Sequence, residues 1–302
     1  MNRAGLKFFR AGGSAIAFAS TLFGAEPVAT KPTDDELRIR GVFVSALPGT
    51  ERKNSLRLIV HPHFGDLHQR DYLRMPLGLR YGVNERWEVT GEVEAFFAHG
   101  IGKVPFFARE GFSNVHAGTK YQLGEALLKG WETAVGIDWT RPVGSPPLDL
   151  TDGLQHVAAF TSFSHRLERN RDWRVFWSVG YDDVTATSVP GQIRRNELGD
   201  DAVSMSGGVL HERGPATYTL EATWASTRVV GRLNQDVFTV RPGVVWVLPA
   251  RYTFGSKGRW LLGGGLRLSR GPDGFDAGVN AKLRVNFDFK RLFRSKPPAT
   301  GP

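Results

Sequence analysis

The sequence predicts an all-β fold, a transmembrane antiparallel up-and-down β-barrel of about twelve strands. Three features lead there. Apolar and polar residues alternate with a period of two from Leu56 onward, the alternating segments are long, and tryptophans gather at their ends. The clearest segment runs from Phe275 to Phe289. Phe275, Ala277, Val279, Ala281, Leu283, Val285, Phe287 and Phe289 share one face; Asp276, Gly278, Asn280, Lys282, Arg284, Asn286 and Asp288 share the other. Soluble strands are mostly ~5–6 residues long, whereas a tilted strand crossing a bilayer needs ~9–11. A one-residue slip would exchange the two faces, so the register is tightly specified.

Composition narrows the alternatives. The 302 residues are 41% hydrophobic, with a mean hydropathy of −0.26. No stretch approaches the ~18 consecutive apolar residues of a membrane-spanning helix. Eight Trp, 20 Phe and six Tyr exclude a disordered chain. Without cysteine, thiolate catalysis, cysteine-ligated zinc and disulfides are excluded. The net charge of +9 requires no nucleic-acid partner, because an anionic lipopolysaccharide surface or an anion-preferring lumen suits it as well.

At the N-terminus, Arg3, Lys7 and Arg10 precede the uncharged run Ala11–Phe23. This is the pattern of a cleaved secretory signal over 1–25, ending after Ala17-Phe18-Ala19 or near Gly24-Ala25. Residues 26–54 read as a periplasmic or plug segment, in which 37–47 has the composition of an extra strand. The barrel occupies 55–289, and 290–302 reads as a disordered basic tail.

Within the barrel the alternation predicts strands at 55–64, 72–81, 87–98, 112–123, 131–141, 155–166, 172–182, 202–211, 216–227, 237–248, 259–269 and 275–289. An even count is what bacterial single-chain barrels use. With both termini in the periplasm, the inner connections are mostly short and the outer ones longer, the expected asymmetry. Trp87, Trp131, Trp173, Trp246 and Trp260 then lie at periplasmic strand ends, and Trp139 and Trp224 toward outer ends; Trp177 alone falls mid-strand. Indole rings settle at headgroup level and form such girdles.

The polar face lines the lumen. A turn centred on Asn84 sets Arg80 opposite Glu88 and Arg74 opposite Glu94. In the next hairpin, His116 falls opposite Asp138 and Lys120 reaches Glu132 diagonally. Such cross-strand pairs neutralise charge in a narrow lumen. His61-Pro62-His63 puts two imidazoles on the lumen face, about 7 Å apart, as polar lining and without the further ligands a metal needs. In the expected outer loop 99–111, Ile101–Ala108 carries Val104, Phe106 and Phe107, an unusual apolar contact surface. No catalytic site emerges. The nucleophile elbow, the zinc-binding His-Glu-x-x-His and the phosphate loop are all missing, and His165 and His211 on the lipid face have no serine partner. No cofactor or metal is expected.

Pro76-Leu-Gly-Leu-Arg-Tyr-Gly-Val-Asn-Glu-Arg-Trp-Glu-Val89 and Gly111-Phe-Ser-Asn-Val-His-Ala-Gly-Thr-Lys-Tyr121 resemble two stretches of the outer-membrane transporter family of the phenol meta-pathway type. In the second stretch Ser113-Asn114 stands where that family usually has Gly-Asp. The resemblance implies a barrel that admits hydrophobic or aromatic compounds, with no catalytic residues. The expected function is therefore an outer-membrane channel or transporter for small, hydrophobic or aromatic solutes. The alternative is a non-transporting structural or surface-binding barrel, and a lipid-modifying enzyme is a third. The expected partners are outer-membrane lipids and lipopolysaccharide, the barrel assembly machinery and a small-molecule solute.

Overall fold

Alternation at a period of two gives every strand one apolar and one polar face, and such strands can bury the polar face by closing on themselves. In the computed structural model they do. The structure describes residues 47–60, 72–98, 110–193, 196–253 and 259–288. Among the described residues, twelve antiparallel strands run β1 (Ser55–Val60), β2 (Tyr72–Gly82), β3 (Trp87–Ala98), β4 (Glu110–Gly124), β5 (Glu132–Pro142) and β6 (Leu154–Arg166). They continue with β7 (Trp173–Ala186), β8 (Ala202–Arg213), β9 (Ala216–Ser226), β10 (Asp236–Val247), β11 (Arg259–Gly271) and β12 (Gly274–Asp288). Each pairs with its sequence neighbours, and β1 pairs with β12 to close the barrel. Every strand lies within a few residues of its expected position. The expected signal, the tail, nearly all of 37–47, and the residues His61, His63, Val104, Phe106 and Phe107 lie outside the described residues.

Two hairpin registers differ from expectation. Arg80 stands opposite Thr90 rather than Glu88, and Arg74 opposite Phe96 rather than Glu94. The turn pivots one residue later than expected because the Asn84 side chain accepts the Arg86 N–H at 2.8 Å. In the β4–β5 hairpin, His116 stands opposite Thr140, and Gly118 stands opposite Asp138. The turn sets this shift: next to it Gly124, at φ +66°, pairs with Thr133, and a bulge between Gln122 and Gly124 takes back one residue of the offset. Both offsets amount to two residues, so every side chain keeps its face.

The two faces are inverted relative to a soluble protein. Leu79, Phe112, Ile137, Met205, Leu220, Leu266 and Phe275 are exposed on the outside, while Arg57, Arg74, Glu88, Lys120 and Glu221 are buried inside. Water does not tolerate an apolar belt around a whole molecule; hydrocarbon requires one. The barrel wall therefore reads as spanning a membrane. At the short-turn end, Trp131 stacks on His165 with centroids 5.2 Å apart, and Trp173 on His211 at 4.5 Å. These two histidines thus belong to an aromatic girdle. Mid-wall Trp177 lies flat on Phe163, with centroids 3.9 Å apart.

Leu266 sits at the middle of β11 with 49% of its surface exposed. Leu266→Arg is expected to lower stability by about 2–4 kcal/mol in liposomes, the cost of a cation at the bilayer midplane. Denaturant unfolding in liposomes measures it. A change within about 0.5 kcal/mol, as at an ordinary wet surface, would show that this face does not meet lipid.

Candidate functional site

Inside the wall, the side chains form two levels. The level near the short turns is built by β1–β4 on one side and β7–β11 on the other. Glu88 is its polar centre. Its carboxylate lies 3.0 Å from Lys120 Nζ and 3.9 Å from Arg80. Lys120 was expected to reach toward Glu132; it is held instead on its other neighbouring strand, by Glu88. Glu132 accepts a hydrogen bond from Ser164 Oγ at 3.4 Å. The opposite half of this level is apolar, with Phe176, Leu210, Val245 and Leu261 pointing inward as one buried cluster.

A short strap, Leu47–Glu51, joins the two halves. Lys120 Nζ donates to the carbonyls of Leu47 at 2.8 Å and Gly49 at 2.7 Å. The Glu51 N–H donates to Glu88 Oε2 at 2.8 Å, and the Glu51 carboxylate pairs with Arg57 at 2.8 Å. The Leu47 side chain packs into the apolar cluster across the lumen. Local backbone geometry makes this path possible. Lys53 bridges Gly82, and a Cβ at Gly82 would lie 2.1 Å from the Arg52 carbonyl oxygen, so the strap passes where a side chain would stand. Asn54, at φ +60°, then turns the chain into β1, and the Tyr81 hydroxyl donates to its side chain at 3.0 Å.

The level toward the long loops encloses a cavity of about 680 Å³. Its lining carries the carboxylates of Glu94, Asp138, Asp152, Asp182 and Glu197 and the guanidiniums of Arg241 and Arg267. Arg74 pairs with Glu94 at 3.8 Å, and Asn114 Nδ2 donates to the same carboxylate at 2.7 Å. Asp138 leans over Gly118 to reach His116 at 3.5 Å; a Cβ at Gly118 would lie 2.1 Å from its oxygen. His116 Nδ1 also meets Thr140 Oγ1 at 2.9 Å. His156 stands between two carboxylates, Asp182 at 2.7 Å and Asp152 at 2.8 Å. Arg267 pairs with Asp276 at 2.5 Å.

After the described residues 187–193, Asn196, Glu197 and Leu198 line this mouth. Asn196, buried and at φ +57°, donates from Nδ2 to the Gly274 carbonyl at 2.9 Å and accepts the Asp273 N–H at 3.2 Å. That ties it to the β11–β12 turn. Nearby, Asp200 Oδ2 accepts the N–H groups of Arg232 at 2.5 Å and Leu233 at 2.9 Å. Slight burial pushes its carboxyl up, but these bonds and the Asp201 N–H outweigh it and hold it below the usual carboxylate range.

Sequence reasoning found Arg74, Arg80, Glu88, Glu94, His116, Lys120, Glu132 and Asp138, and all of them face inward. It missed the Glu51–Arg57 pair, the His156 bridge, the guanidiniums Arg241 and Arg267, and the apolar cluster. The cluster did leave a signal: Phe176, Leu210, Val245 and Leu261 interrupt the polar parity of their strands within a few residues of the short turns.

No protein-family model matches the sequence, and no curated protein does. Among solved structures the chain is similar to an outer membrane channel from Pseudomonas putida F1. The identity is 12% and the TM-score 0.47, over 79% of this chain and 96% of that one. It is also similar to the KdgM porin in complex with disordered oligogalacturonate (8% identity, TM-score 0.44, 77% of this chain and 99% of that one). The NanC porin is a third (11% identity, TM-score 0.41, 76% and 97%).

Asn196→Ala removes two side-chain hydrogen bonds and strains a left-handed residue, which is expected to weaken the loop by about 1–3 kcal/mol. Limited proteolysis should then cleave within 187–201 faster than in the wild type. Asn196→Gly loses only the bonds and should fall between the two.

Proposed function

We propose that this protein is a channel of the outer membrane that passes small solutes between the long-loop mouth and the short-turn end. The observation that carries this reading is the cavity of about 680 Å³, lined by charged and apolar side chains together, inside a closed wall whose outside is apolar. Carboxylates and guanidiniums, most of them paired locally, line the cavity and offer hydrogen-bond partners to a solute's polar group. Phe160, Leu198 and Val237 supply apolar patches between these charges. Together with the resemblance to transporters of the phenol meta-pathway type, they favour small solutes with an aromatic or apolar body and a polar group. The reading assigns no catalytic residue.

The outer-membrane location and export through a cleaved signal rest on the N-terminal sequence and on the barrel wall. The long connections are proposed to face outward. Gly191 is unsuited to a cysteine probe, since a Cβ there would lie 2.1 Å from the Gly153 nitrogen. Exposed Ser188 and Val229 serve instead. Ser188→Cys and Val229→Cys are expected to label in intact cells with an impermeant thiol reagent, and Arg169→Cys in a short turn is not. The reverse pattern would invert the orientation.

A non-transporting barrel is the second reading, and the Leu47–Glu51 strap across the lumen is the observation that favours it. Liposome swelling and planar-bilayer conductance separate the two. The wild type and an Arg80→Ala/Glu88→Ala variant are expected to admit small solutes, the variant faster. Failure of both leaves the second reading.

A further inference from the structure

We infer that the strap Leu47–Glu51 is a displaceable stopper that closes the channel at its short-turn end, and that Lys120 and Glu88 form its latch. This rests on the channel reading above. Three independent observations converge on it.

First, the strap is held from both sides of the lumen. Its backbone is bound on the β3–β4 side by Lys120 and Glu88, while Leu47 fills an apolar socket made by β7, β8, β10 and β11. A chain anchored at both walls obstructs the passage between them. Second, the polar half binds main-chain groups. Lys120 takes two carbonyls and Glu88 takes one N–H. When the strap leaves, Lys120 and Glu88 still have each other at 3.0 Å, and the freed donors and acceptors can be met by water or by a solute's polar groups. The latch therefore survives its own opening. A buried carboxylate whose sole cationic partner left with the plug would instead make opening prohibitively costly. Third, the wall is shaped for the strap. Gly82 leaves room for the Arg52 and Glu51 carbonyls, and Asn54 adopts the left-handed turn that carries the chain from strap into wall. Inward apolar residues at Phe176, Leu210, Val245 and Leu261 stand together with Leu47 at a level whose other half is charged. They are explained by the single leucine they receive.

The consequence is autoinhibition. A solute that reaches the cavity from the long-loop mouth meets a closed exit, and it passes only when the strap swings out toward the end from which β1 starts. Release costs the burial of Leu47, three latch hydrogen bonds, the Glu51–Arg57 ion pair and the Thr50 hydroxyl's contacts, while leaving the barrel's pairing intact.

The test uses the full-length protein in planar bilayers, with heat-modifiable gel mobility to verify that each variant forms a barrel. Lys120→Met removes the latch and Gly82→Ala obstructs the strap's path without touching a charge. Each is expected to raise the open fraction about tenfold, a modest effect for a broken buried interaction. Thr50 is buried under the strap's contacts, and its hydroxyl meets Gln122 Oε1 at 3.4 Å. A Thr50→Cys probe should be unreactive toward a thiol reagent in the wild-type background and reactive in both variants. Joining Thr50→Cys to Gln122→Cys with a short bis-thiol linker should abolish the gain in conductance. Steady wild-type conductance that neither the variants nor the linker changes would overturn the stopper and leave the channel standing. Silence in every form, released or locked, would overturn the channel reading and the stopper with it.

Discussion

The pairing of β1 with β12 is the constraint from which the rest of this molecule follows. Ser55–Val60 meets Leu283–Asp288 in six consecutive antiparallel pairs, and with that seam no strand edge is left open. In hydrocarbon an unpaired edge would leave a row of backbone N–H and C=O groups with no partner, at several kcal/mol each. Closure in turn fixes parity. Once the sheet is a tube, one face of every strand must meet lipid and the other must meet the interior, and the interior becomes the only place for Arg57, Arg74, Glu88, Lys120 and Glu221.

That interior is crowded with charge, and crowding dictates pairing. Several of these groups are almost fully buried, so isolated charges would carry a large desolvation penalty. The observed solution is local neutralisation: Glu88 between Lys120 and Arg80, Glu94 with Arg74, His116 with Asp138, His156 between Asp152 and Asp182. Most of these contacts are diagonal rather than directly across a strand pair. A glycine opposite, as at Gly118, gives the longer side chain room to lean.

This explains which parts were legible in the sequence. Parity is a property of single strands, so the strand positions and the lumen face could be read from alternation alone, while the partners Arg74–Glu94, Arg80–Glu88 and His116–Asp138 also needed an assumed turn. Register depends on the turn, and there an Asx contact at Asn84 and, in the next hairpin, the turn that pairs Gly124 with Thr133 together with the bulge after Gln122 left both hairpins two residues from the expected pairing. The pairs persisted because a shift of two preserves faces and arginine, glutamate and histidine are long enough to absorb the offset. The strap was out of reach. Five residues carry no period, the strap's hydrogen bonds reach 35 to 73 positions along the chain, and Leu47's apolar neighbours lie farther still. His156 was missed for a related reason, since one of its two carboxylates, Asp152, belongs to a connection rather than to a strand.

Only Arg52, Lys53 and Asn54 separate the strap from β1. As an intramolecular ligand on so short a tether, the strap faces its binding groups at an effective concentration in the millimolar range or above. A diffusing solute that contacts the same Lys120 and Glu88 competes against that local concentration, which dilution cannot lower. Occupancy of the exit is therefore governed by how tightly the tethered segment and the solute bind relative to each other, and the apparent affinity of any solute for that level is weakened by the fraction of time the tether is away.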